Sequence, residues 1–269
     1  MRTLVFLFLI GVAVVAPAAV ELQGSFTQGG VVFGKTESGA RVFQDGEDLP
    51  VSPQGDFVIG FSREAKERSE LVIELPDGGR ERRELKVSRR DYDIQRIDGL
   101  PERKVTPKEE DQARIRADQA AVKKARARLD QRIDFLQGFM WPARGRITGV
   151  YGSQRILNGK PKWPHYGVDI AGPVGKPVRA PAAGIVTLVH PDMFYSGATL
   201  IMDHGHGLSS TFLHLHKILV REGKRVEKGQ IVAQMGASGR VTGPHLDWRM
   251  NLRGKRVDPQ LLVGPMKSE

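Results

Sequence analysis

The sequence predicts a mainly β protein in three parts: a small β-sandwich over residues 20–100, a connecting α-helix over 104–138, and a second β domain over 139–269. Three observations lead there. Short apolar or alternating runs recur through the first hundred residues, separated by turn residues. A charged stretch follows, with an apolar residue at every seventh position. From Trp141 the chain becomes rich in glycine, proline and valine, and all seven histidines lie there, from His165 to His245.

The chain begins MRTLVFLFLIGVAVVAPAAVELQ. Arg2 gives a positive start, residues 4–15 an apolar run, and Ala16-Pro17-Ala18 an A-x-A cleavage signature. Residues 1–18 therefore read as a secretory signal peptide cut near Ala18, with a run too short for a spanning helix. The mature protein is expected to be periplasmic or secreted, with no membrane span. Cysteine is absent, which excludes a disulfide framework and a lipid-bearing cysteine.

The formal charge is +10. Residues 139–269 hold 18 Lys and Arg against 8 Asp and Glu, so the whole excess sits in that half. Such an imbalance favours an anionic partner. Export argues against nucleic acid and for anionic cell-wall polymers or lipid surfaces.

The runs at 31–33, 41–43, 57–61, 71–75 and 83–87 alternate or are apolar, and Asp45-Gly46, Gly55 and Asp77-Gly78 mark turns between them. That spacing predicts a sandwich. It has no histidine and no ligand cluster, so it reads as a binding or spacer module. In the next part Thr106, Pro107 and Glu109 make a capping box with proline at its favoured place, and Gly138 is a stop. Ile115, Val122, Leu129 and Leu136 form one thin apolar stripe, which suits a helix packed along a domain or a partner-binding helix.

Chemistry is concentrated in two short segments. In HYGVDI, His165 and Asp169 are four apart, and on a strand they share a face. In TGPHLDWRM, His245 and Asp247 are two apart and share a face likewise. An imidazole and carboxylates from two strands can make a three-ligand zinc site with a position left for water. In SSTFLHLH, alternation puts His214 on the same face as Phe212, from where it can face that cleft. His190, His204, His206 and His216 read as surface or structural, with DHGHG at 203–207 an exposed turn. Any one of these short patterns alone is prone to coincidence.

Together, YGSQR at 151–155, HYGVDIAGPVGKPVRAPAAGIV at 165–186, DHGHGLSSTFLHL at 203–215 and KGQIVAQMGASGRVTGPHLDW at 228–248 resemble the lysostaphin-type (LytM-domain) zinc endopeptidases of bacterial cell walls. The resemblance covers roughly Trp141 to Pro259. It implies an antiparallel β-sheet metallopeptidase domain in which His165 and Asp169 are metal ligands and His214 and His245 are catalytic. Arg155 matches a motif arginine, placed for a salt bridge or a substrate contact. Asp247 falls where the family usually has its third ligand, a histidine, and here the chain departs from the pattern.

Aspartate is a legitimate zinc ligand, so the site is expected to assemble. One histidine and two carboxylates leave a divalent ion less positive than two histidines and one carboxylate do. Such a centre acidifies bound water less, and manganese competes better with zinc. The function expected is metal-dependent hydrolysis of peptide cross-links in peptidoglycan. The alternative is a regulator, weak or inactive itself, that acts through a cell-wall amidase or divisome protein. A cell-wall binding module without hydrolysis is a further alternative.

Overall fold

The computed structural model describes residues 20–97, 109–157 and 159–266; the expected signal peptide and the Thr106 and Pro107 part of the capping box lie outside them. The first unit comprises β1 (Glu21–Gly24), β2 (Val31–Lys35), β3 (Arg41–Gln44), β4 (Glu47–Leu49), β5 (Asp56–Gly60), β6 (Arg68–Glu74) and β7 (Arg80–Lys86). One sheet runs β4-β3-β6-β7 and the other β1-β2-β5. Val42, Leu71 and Ile73 from the first sheet meet Val32, Phe57 and Ile59 from the second in a shared buried core. The mainly β architecture expected from the sequence is the one observed.

The run Phe57-Val58-Ile59 is continuous because both faces of β5 are covered. Phe57 and Ile59 enter the sandwich, whereas Val58, with Val31 of β2, enters the core of the second domain. Phe33 stacks on Phe135 with centroids 5.6 Å apart. Arg253 adds a 2.9 Å hydrogen bond from Nη2 to the Val58 carbonyl. The two parts share apolar surface.

β8 (Ile94–Ile97) leads to a 3₁₀ turn at Glu109–Asp111 and then to α1 (Gln112–Arg126). The helix is therefore shorter than the 104–138 expected. The chain is irregular over 127–133 and makes another 3₁₀ turn at Asp134–Gln137. Ile115 is buried, but Leu129 is 60% and Leu136 45% exposed, so the seven-residue stripe does not persist as one packed face. A thin stripe offers little tertiary burial to extend a helix. Ion pairs from Arg132 to Asp130, Asp134 and Asp203, together with the buried Phe135, hold the irregular path instead.

The second domain follows: β9 (Ile147–Gly149), β10 (Gln154–Leu157), β11 (Lys160–Pro161), β12 (Gly167–Ala171), β13 (Pro177–Arg179), β14 (Gly184–Met193) and β15 (Gly197–Asp203). Then come β16 (Leu208–Ile218), β17 (Arg225–Val226), β18 (Ile231–Met235), β19 (His245–Leu252) and β20 (Lys255–Val257). The main sheet runs β17-β14-β15-β16-β19-β12-β9, antiparallel throughout. Phe212, Leu246, Trp248, Met250, Val168 and Ile170 pack on one face as its core. On the other, Ala121, Val122 and Ala125 of α1 pack on Leu188, Met193 and Ile201. β8 pairs in parallel with β10, which ties the end of the first unit to the chain leading into the site. Among the described residues no helix is long and apolar enough to cross a membrane.

Candidate metal centre

β19 sets the site by alternation. Leu246, Trp248 and Met250 point into the core, which sends His245, Asp247 and Arg249 to the opposite face. Asp247 pairs in register with Asp169 of β12, so two carboxylates from adjacent strands stand side by side. His165 lies just before β12, in a segment without regular secondary structure rather than on the strand itself. Its backbone is fixed by Gly152 N donating to its carbonyl (2.7 Å) and its own N donating to the Ser153 carbonyl (2.8 Å).

One ligand atom each from His165, Asp169 and Asp247 lies within 4.8 Å of the others. His165 Nε2 is 3.2 Å from Asp169 Oδ1, yet both atoms are buried without a hydrogen-bond partner. Buried polar atoms of this kind call for a missing partner, and a cation between them satisfies both. The residues fit a divalent metal. Two glycines make room: a Cβ at Gly149 would collide with Asp169 Oδ2, and one at Gly167 with Asp247 Oδ1.

The two histidines of the expected catalytic pair approach with ring centroids 4.9 Å apart. His214 reaches this face for a reason that alternation misses. Phe212, two residues earlier, is in the core, so a regular strand would bury His214 with it. The register of β15 with β16 shifts between Ala198 and Leu200, a bulge, and His214 takes φ 62°. The bulge turns the ring out. Its Nδ1 is 2.9 Å from the Ser238 carbonyl and His245 Nδ1 is 2.9 Å from the Gly243 carbonyl. A carbonyl only accepts, so both Nδ1 atoms carry protons and both Nε2 atoms are left as acceptors. Burial lowers the His214 pKa, favouring the neutral ring. Burial also disfavours charge on His165, but the Asp169 and Asp247 carboxylates outweigh it and raise its pKa.

Arg249 is the residue that the sequence reading missed, although its place two beyond Asp247 puts it on the same face. Its Nε is 3.0 Å from both Asp247 oxygens and its Nη2 is 2.5 Å from Oδ2. Burial opposes the Asp247 anion, yet the guanidinium prevails and lowers its pKa. The charge deficit expected of a second carboxylate is thus offset locally. Asp247 keeps lone pairs for a metal, since a carboxylate accepts at about four positions.

The turn at 203–207 is not the exposed one expected. His204 and His206 are fully buried, with Phe139 and Phe135 edge-on against their rings. The 127–135 segment covers them: His206 N bonds the Asp130 carbonyl, and Arg132 pairs with Asp203. His216 is exposed and His190 is half-buried near Asp118 at 4.0 Å. The side chain of Arg155 lies outside the described residues.

Residues 163–259 match the model of Peptidase family M23. A solved structure of an M23 peptidase from Pseudomonas aeruginosa is 31% identical, with a TM-score of 0.69, over 89% of this chain and 96% of that one. Peptidoglycan DD-endopeptidase ShyA of Vibrio cholerae is 40% identical over 107 residues, 39% of this chain and 24% of that protein. DD-carboxypeptidase/endopeptidase Mpg of Neisseria meningitidis serogroup B is 37% identical over 101 residues, 38% of this chain and 23% of its own length. The chain thus spans about a quarter of these two curated relatives. The likeness to the Pseudomonas structure extends over nearly all of both chains, sandwich and helix included, and on that evidence this chain belongs to peptidase family M23.

Proposed function

We propose that the protein is a metal-dependent endopeptidase that hydrolyses peptide cross-links of peptidoglycan outside the cytoplasmic membrane. The observation that carries this reading is the convergence of His165 Nε2 and Asp169 Oδ1, buried and unpartnered, beside Asp247. Those three residues would hold the ion, with zinc favoured by the imidazole and manganese by the two carboxylates. A bound divalent ion supplies Lewis acidity toward a carbonyl oxygen and a water. The chain's own groups do the rest. His214 Nε2 accepts the proton of the attacking water, which its neutral ring allows, and then returns it to the leaving amine. His245, held by Gly243, orients the same water through its Nε2 acceptor. The names of the relatives, a peptidoglycan endopeptidase and a carboxypeptidase/endopeptidase, support this substrate class.

The test is release of muropeptides from purified sacculi by the mature protein, with zinc, with manganese, with chelator, and with His165→Ala. Metal-dependent loss of cross-links that the variant lacks is the expected result. No release by folded protein under any condition would sink the hydrolytic reading. A second reading has one observation in its favour: Arg249 already engages both oxygens of Asp247. A regulator that uses the cleft only to bind would stimulate a cell-wall amidase, and would do so unchanged in His165→Ala.

A further inference from the structure

Beyond Asp247 the same sheet face carries three arginines, of which only Arg249 engages the metal centre, through Asp247. Thr211 of β16, Arg249 of β19 and Gly167 of β12 lie in one row across three strands, next to the row of Asp247 and Asp169. Arg126, the last residue of α1, reaches down to that row and donates from Nη2 to Thr211 Oγ1 at 2.7 Å. Its Nε is buried with no partner. Arg256 of β20 pairs with Asn251, two residues beyond Arg249 and on the same face. Its guanidinium has no carboxylate or hydrogen-bond partner among the described residues.

Arg126 and Arg256 both feel the charge of Arg249. Burial and then repulsion from Arg256 and Arg249 lower the pKa of Arg126, and burial and Arg249 lower that of Arg256. The carboxylates beside them are Asp247, already bound by Arg249, and Asp169, buried at the metal centre. Arg126 and Arg256 are thus half-buried without counter-charge, which is costly. An anion that enters with the substrate removes that cost. Guanidinium forks match carboxylate geometry. Residues two apart on a strand are separated by about 7 Å, so the cluster stands one or two residues of extended peptide from the metal ligands.

We propose that Arg126, Arg249 and Arg256 form a subsite for the free C-terminal carboxylate of a peptide whose scissile bond lies over His165, Asp169 and Asp247. The assignment rests on the hydrolytic reading for its placement of the peptide. It gives α1 a part in binding, through Arg126, and makes a free peptide end a specificity element.

The experiment compares one muropeptide with a free terminal carboxyl against the same muropeptide amidated there. Wild type should favour the free acid by about tenfold or more in kcat/KM, the scale of a charge-assisted hydrogen bond. Arg256→Met should bring the ratio close to one, and Arg256→Lys should keep part of it. A variant that merely folds poorly loses both substrates alike and leaves the ratio unchanged. A wild-type ratio near one, or the full ratio in Arg256→Met, overturns the subsite. If wild type cleaves neither peptide, the hydrolytic reading fails on its own, and calorimetric binding decides the subsite. Tighter binding of the acid that Arg256→Met abolishes sustains it, whereas equal binding of acid and amide removes it. Inorganic phosphate binding more tightly than the free acid would reassign the arginines to phosphate and overturn the peptide assignment.

Discussion

Arg249 clasps Asp247 from two residues along the same strand, Nε reaching both oxygens at 3.0 Å and Nη2 reaching Oδ2 at 2.5 Å. This pair changes what a substitution at 247 does. Asp247→His supplies the usual family ligand but leaves a half-buried guanidinium unpaired. The single variant should lose about 1–3 kcal/mol of stability and gain no hydrolysis. Asp247→His combined with Arg249→Met should recover the stability and bind zinc at least as tightly as wild type. Urea midpoints and zinc titration against a chromophoric chelator measure both. Full stability in the single variant would show that Arg249 does not depend on Asp247.

The two small residues beside the carboxylates are a second point of attack. Gly149→Ala drives a methyl group into the Asp169 carboxylate, and Gly167→Ala drives one into Asp247 and to 2.6 Å from Arg249 Cγ. Neither glycine needs a positive φ, so the effect is one of space rather than of backbone freedom. Gly149→Ala should fold, because its collision falls on the Asp169 side chain alone, whereas Gly167→Ala also comes within 2.7 Å of the Trp248 carbonyl oxygen and should lose stability as well. Both should bind metal more weakly by about tenfold or more. Wild-type metal affinity in both would mean that the carboxylates can move aside and still bind.

The histidines separate by role. His165→Ala should abolish metal binding. His214→Ala should retain one metal per chain while hydrolysis falls by about 10²–10⁴, the usual contribution of a positioned acid–base group. Metal content by emission spectroscopy, measured beside muropeptide release, tells them apart. Loss of metal in His214→Ala would move that residue from proton transfer to ligation.

Much of this was legible in the sequence because it obeys alternation. The sandwich strands, and the common face of His245 and Asp247, follow from a period of two. His214 did not follow from it: the bulge before Leu215 carries no sequence signal as clear as a glycine. Leu129 and Leu136 kept the helical period, yet the chain left the helix before them. Tertiary ion pairs from Arg132 decide that segment, and a local pattern cannot show them. The same segment hides His204 and His206, whose neighbours Gly205 and Gly207 read as an exposed turn.

That buried turn predicts acid sensitivity. His204 Nδ1 donates to the Ala183 carbonyl and its Nε2 accepts from Ser210 Oγ, both at 2.7 Å, an arrangement that needs the neutral ring. Burial pushes its pKa down to about 4, and burial does the same to His206. An unfolded histidine titrates near 6.5. Between those values the unfolded chain binds more protons, so this stability is fully present above about pH 6.5 and is lost as pH falls toward 4. Each ring then costs about 2 kcal/mol by pH 5. Asp203 acts oppositely: burial raises its pKa to about 6, so its protonation on acidification returns part of the loss. The net expectation is a lower urea midpoint at pH 5 than at pH 7. His204→Gln, which keeps a donor and an acceptor without a titrating ring, should narrow that gap by about 2 kcal/mol. An unchanged gap in the variant would mean that His204 does not govern the acid response.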